Sequence, residues 1–190
     1  MALRAKAGDK APDFTLPDAD LNPQSLKEFL GKKIVLAFHV CAFTHRCTKE
    51  SCDFRDSMFR LINNETQIVG ISVNCPFKNK LYAEKNRLPF PILSDEDGKV
   101  TKAYGVEPLD LPCHEDCKAL NKTIMLLDPE GIIRYVWDSN DPECEPNYEE
   151  IEKVCKLIDY LPHPLINKHP TEKPKGKITV NESDENYVEA

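Results

Sequence analysis

No stretch of this sequence is long and apolar enough to cross a bilayer. The longest apolar run, Ile34–Phe43, is about half of what a membrane span needs and is interrupted by His39. There is no block of basic residues: 25 Lys and Arg face 32 Asp and Glu, a net charge of −7. That balance argues against nucleic acid or an anionic membrane as a partner. Residues Met1 to Lys10 lack the apolar core and small-residue cleavage site of a secretory signal. No internal repeat is visible. The expectation is a cytoplasmic globular protein of 190 residues, long enough to bury one sizeable core.

What the sequence does have is eight cysteines, at 41, 47, 52, 75, 113, 117, 144 and 155. Their density is well below that of a disulfide-stapled scaffold. Without a secretory signal, such a count points to catalysis, metal binding or buried thiols.

Ile34–Val40, Gln67–Asn74 and Thr123–Asp128 are nearly continuous apolar runs of strand length, suited to strands covered on both faces of a parallel or mixed sheet. Ile132–Trp137 follows Asp128-Pro129-Glu130-Gly131, a turn signal that predicts a hairpin with Thr123–Leu127. Phe54, Met58 and Leu61 recur at helical spacing. Lys78–Asn86 and Lys99–Tyr104 are short helix candidates. Ile151, Val154, Cys155, Ile158 and Leu161 mark one face of a further helix, with Asn147 as its cap. Strands alternating with helices predict a layered α/β domain over 1–161. From Pro162 to Ala190, prolines and charges dominate, which predicts a tail ordered only against another surface; Ile178-Thr179-Val180 is its one strand candidate.

The strand Ile34–Val40 runs into Cys41-Ala42-Phe43-Thr44-His45-Arg46-Cys47 and then the helix marked by Phe54. A thiol in a helix's first turn faces unpaired backbone N–H groups and the positive end of the helix dipole, both of which favour thiolate. Arg46 and His45 push the same way. Thr44 offers a hydroxyl that can cap the turn or bond to a bound oxygen. Cys52 lies five residues beyond Cys47. On an ideal helix their Cα atoms stand about 8.7 Å apart, beyond the roughly 7 Å that a disulfide tolerates. If the two form a redox couple, the first turns must unwind in each cycle. The plain alternative is a buried structural cysteine after a strand.

These stretches resemble a known family. Gly8-Asp9-Lys10-Ala11-Pro12-Asp13-Phe14, Phe43-Thr44-His45-Arg46-Cys47-Thr48-Lys49-Glu50, Ile92-Leu93-Ser94-Asp95, Tyr104-Gly105-Val106 and Leu127-Asp128-Pro129-Glu130-Gly131 are similar, in colinear order, to peroxiredoxin motifs. The Cys47/Cys52 pair looks most like the bacterioferritin-comigratory protein or PrxQ branch. The resemblance implies a thioredoxin-like fold, a central mixed sheet flanked by helices, and no cofactor. It implies that Cys47 attacks hydrogen peroxide or an organic hydroperoxide, that Cys52 resolves the product, and that a thioredoxin-like dithiol restores the pair. It also implies a monomer or homodimer.

Two supporting positions depart from the family. Val40 stands where the family carries Pro, and neither removes a backbone N–H nor fixes the loop. Lys122 stands where it carries Arg, keeping the charge but losing the planar fork. Thr44, Cys47 and Glu50 match. A catalytically degenerate redox sensor or interaction protein is therefore a competing reading. A metal-binding module is a third: Cys113, His114 and Cys117 are closely spaced potential ligands, with Cys144 available from a later loop. Cys113 and Cys117 equally suit an auxiliary thiol pair. Cys41, Cys75 and Cys155 are expected to pack, Cys75 with partial exposure.

Overall fold

The computed structural model describes residues 5–38, 56, 66–106, 108–109, 119–139, 144–158 and 166–168. Strand β1 (Thr15–Pro17) pairs with β2 (Pro23–Ser25), which leads into the short helix α1 (Leu26–Phe29). Then come β3 (Lys33–Phe38), β4 (Thr66–Ser72), helix α2 (Pro76–Asn86), β5 (Ile92–Ser94) and helix α3 (Lys99–Tyr104). A small pair, β6 (Pro108–Leu109) and β7 (Ala119–Leu120), precedes β8 (Lys122–Leu127) and β9 (Ile133–Ser139). Helix α4 (Tyr148–Leu157) and β10 (Ile166–Lys168) follow.

Among the described residues the central sheet has strand order β10-β9-β8-β3-β4-β5. β3, β4 and β5 are mutually parallel, β8 is antiparallel to β3 and to β9, and β10 is parallel to β9. The mixed sheet expected from the apolar runs is therefore present. β10 lies inside the stretch assigned from sequence to the tail, yet it forms an edge of this sheet. The Phe54–Leu61 helix and the Ile178–Val180 strand lie outside the described residues.

The runs are continuously apolar because the sheet is covered on both faces. Ile34, Leu36 and Phe38 join Val69, Ile71, Met125 and Leu127 beneath Phe14, Leu26, Phe29 and Tyr104. Val35 faces the other way, with Ile68, Ile124, Leu126, Tyr135 and Trp137 beneath Tyr82 of α2 and Ile151, Val154 and Cys155 of α4. Each such aliphatic side chain contributes about 1.5–3 kcal/mol on burial. The predicted hairpin forms, with Thr123 opposite Asp138 and Met125 opposite Val136.

α4 begins where its sequence predicts: the Asn147 side chain accepts from the Glu150 amide at 3.2 Å. At the far end of that helix, buried Lys33 donates its Nζ to the Cys155 carbonyl at 3.1 Å. A cation there complements the negative end of the helix. Cys155 is accordingly a packed core thiol, with Sγ 3.5 Å from the Thr66 hydroxyl.

Candidate active site

The motifs quoted above that lie among the described residues act as struts. Asp95 is buried and its carboxylate accepts from the Val100 and Thr101 amides and the Thr101 hydroxyl, at 3.2, 2.7 and 2.6 Å. It thereby holds the start of α3, where Gly98 supplies no side-chain cap. Tyr104, at the end of α3, donates its hydroxyl to the Pro12 carbonyl at 2.7 Å. Asp128 organises the β8–β9 turn: Oδ1 accepts from the Glu130 and Ile132 amides and Oδ2 from Arg134. Ala11 and Gly8 donate to Gly131 and Ile133 carbonyls, lashing the amino-terminal segment to that hairpin. Gly131 has φ +82°, and a Cβ there would meet Leu30 at 3.1 Å. The turn, the cap and the strap each need these residue types.

The other end of the hairpin carries Lys122. Thr123 pairs with Phe38, the last described residue of β3, so Lys122 stands one residue further, where the chain leaves β3 towards Cys41 and Cys47. Lys122 shares the face of Ile124 and Leu126, the side covered by α4. Its side chain is 18% exposed and forms an ion pair with Glu145. Its Nζ also lies 3.5 Å from the Cys144 carbonyl. Glu145 uses its second oxygen to accept from the Tyr148 hydroxyl at 2.6 Å. Nothing in the sequence pattern flags Glu145 or Tyr148, which sit in and just after a proline-rich connection without periodicity.

Of the residues assigned to catalysis, Lys122 is placed. Thr44, Cys47 and Cys52 lie outside the described residues, as do Val40, His45, Glu50 and Cys41. So do Cys113, His114 and Cys117. Among the described residues no group of three or more His, Cys, Asp or Glu side chains is arranged to hold a metal. Cys144 is half-buried against the α4-side core, and Cys75 is half-buried at the start of α2. No helix of the described residues is long and apolar enough to cross a membrane.

Comparison with known proteins decides the family. The AhpC/TSA family profile matches residues 7–136, a span that contains every motif quoted above from Gly8 to Gly131. The chain belongs to the AhpC/TSA family. It is 35% identical over 159 residues to the chloroplastic peroxiredoxin Q of Populus jackii, covering 83% of this chain and 70% of that one. It is 43% identical over 130 residues to a putative peroxiredoxin of Mycobacterium tuberculosis, covering 68% and 83%. Among solved structures, peroxidoxin BcpB of Mycobacterium tuberculosis superposes with a TM-score of 0.66 at 29% identity, over 82% of this chain and 97% of that one. The PrxQ-like resemblance and the thioredoxin-like fold therefore both hold. In this peroxiredoxin, the described struts lie within the span matched by the family profile, while Glu145 and Tyr148 lie beyond it.

Proposed function

We propose that this chain is a thiol-dependent peroxidase working through Cys47 and Cys52. The observation that carries the reading is the family match over 7–136, a span that contains Thr44, Cys47 and Cys52. The Cys47 thiolate attacks one peroxide oxygen, forming an S–O bond as the O–O bond breaks. The departing oxygen takes a proton and leaves as water or an alcohol. The Cys52 thiol then attacks the sulfenic sulfur, releasing water and forming a disulfide. A thioredoxin-like dithiol returns two electrons by exchange. In this scheme Thr44 bonds to the bound oxygen and the Lys122 ammonium favours the thiolate.

The reading extends to a cytoplasmic monomer or homodimer in which the 162–190 stretch joins the sheet through β10 and runs on from there as a tail, tested by sedimentation and by imaging of a tagged protein. Replacing Cys47 by Ser should abolish peroxide consumption with a thioredoxin donor; normal turnover by that variant would sink the assignment. Replacing Cys52 should allow a single oxidation and accumulate sulfenic or sulfinic acid at Cys47, visible by mass spectrometry. A second reading, a degenerate sensor, is favoured by one observation: the Lys122 ammonium is engaged by Glu145. Peroxide rates near those of free cysteine would select it. Stoichiometric metal on untagged, unreduced protein would instead select the Cys113, His114 and Cys117 module.

A further inference from the structure

A strand at the edge of a sheet presents a row of unpaired N–H and C=O groups to any other chain. The two sides of this sheet end differently. β5 is three residues long and Pro91 immediately precedes it, so it offers little to pair with. On the other side, β9 spans seven residues without Pro or Gly, and its Ile133, Tyr135, Val136 and Trp137 are buried. These are strong strand formers, so β9 left bare would be a long apolar edge of the kind that recruits another strand. It is not left bare. The Ile133 amide donates to the Asp9 carbonyl at 2.9 Å, and the Ile133 carbonyl accepts from the Gly8 amide at 2.7 Å. β10 then pairs with Tyr135, Val136 and Trp137, placing Asn167 opposite Val136, the middle residue of β9. β10 is itself a poor template: three residues, ending on Lys168, with Pro164 before it and Pro170 after it in the sequence. It lies beyond the span matched by the family profile.

We propose that Ile166–Lys168 is an edge guard, which occupies the outer edge of β9 and thereby keeps it from pairing with β9 of a second copy of this chain. The physics is a competition. With β10 away, two copies related by a two-fold axis would meet antiparallel along β9, over more residues than the three that β10 pairs. A short parallel pairing is the weaker of the two. β10 prevails because it is tethered to the same chain, which gives it a high effective concentration at that edge.

The test is the full chain carrying both Asn167→Pro and Lys168→Pro. Alternate residues of a strand turn their amides to the same neighbour, so two adjacent prolines remove a ladder donor whichever of them faces β9. A second variant, ending at Leu165, takes β10 away without adding prolines. Sedimentation velocity over a concentration series should show the wild type at one mass. Both variants should rise to at least twice that mass as concentration increases. Hydrogen exchange, read by mass spectrometry on peptides spanning Ile133–Ser139, should be slow in the wild type, faster in the dilute variants and slow again once they associate. If these amides exchange no faster in the dilute variants, β10 does not close the edge. If they exchange faster while both variants keep the wild-type mass at every concentration, the bare edge takes up no second copy. Either result refutes the guard. Loss of the native circular dichroism in both variants refutes it as well, because β10 would then be a support of the fold.

Discussion

Replacing Asp128 should separate the stability of this fold from its chemistry. The carboxylate is buried and fully used: two backbone amides at 3.1 and 2.8 Å on one oxygen, and the Arg134 Nε at 2.7 Å on the other. Arg134 is itself only 18% exposed, so removing its partner leaves a largely desolvated cation. Asp128→Ala loses all three bonds and should cost about 3–5 kcal/mol, the usual cost of breaking a buried pair. For a domain of this size that is a fall in Tm on the order of 10 °C. Asp128→Asn keeps the acceptor for the two amides and loses only the charged bond to Arg134. It should therefore cost less, about 1.5–3 kcal/mol. Urea unfolding followed by circular dichroism measures both. Because Lys122 sits at the opposite end of β8, the Asp128 variants should keep wild-type peroxide reduction per folded molecule at room temperature. Equal losses for the two variants would show that the turn amides contribute nothing. A loss for Asp128→Ala below about 1 kcal/mol would refute the reasoning altogether.

Burial pushes the phenols of Tyr104 and Tyr135 above their ordinary range. The folded state then holds their protons more tightly than the unfolded chain does. Stability is complete below the free phenol value and should fall as pH rises past about 10. Absorbance titration should show both rings ionising only as the chain unfolds; early, reversible ionisation of all six tyrosines would contradict this. The Tyr135 hydroxyl is buried with no hydrogen-bond partner among the described residues, so Tyr135→Phe should leave stability unchanged or raise it by about 1 kcal/mol. A clear loss in calorimetry would expose a bond it makes in solution. Asn147→Ala removes the α4 cap and should cost about 1 kcal/mol. An unchanged urea midpoint would show that the first turn of α4 is held by Tyr148 instead.

Local pattern determined much of this protein. The apolar runs placed β3, β4 and β8 because a strand covered on both faces has no polar side to interrupt it. The Asp128–Gly131 signal placed the hairpin, since a turn needs a backbone-binding carboxylate and a residue at positive φ. Asn147 marked the start of α4 because a helix cap is a local hydrogen bond. The colinear motifs from Gly8 to Gly131 pointed to the family, as residue types at fixed spacing can be read without tertiary structure. What neighbours across the fold was not legible. That Ile166–Lys168 closes an edge of the sheet depends on pairing with β9, a contact between distant segments. That Lys122 answers to Glu145 depends on two residues 23 apart being brought together by β9 and α4. A charge in a sequence carries no sign of what will stand beside it. The sequence alone thus determined which residues could do the chemistry, and only the packing of α4 against β8 decided what holds the lysine.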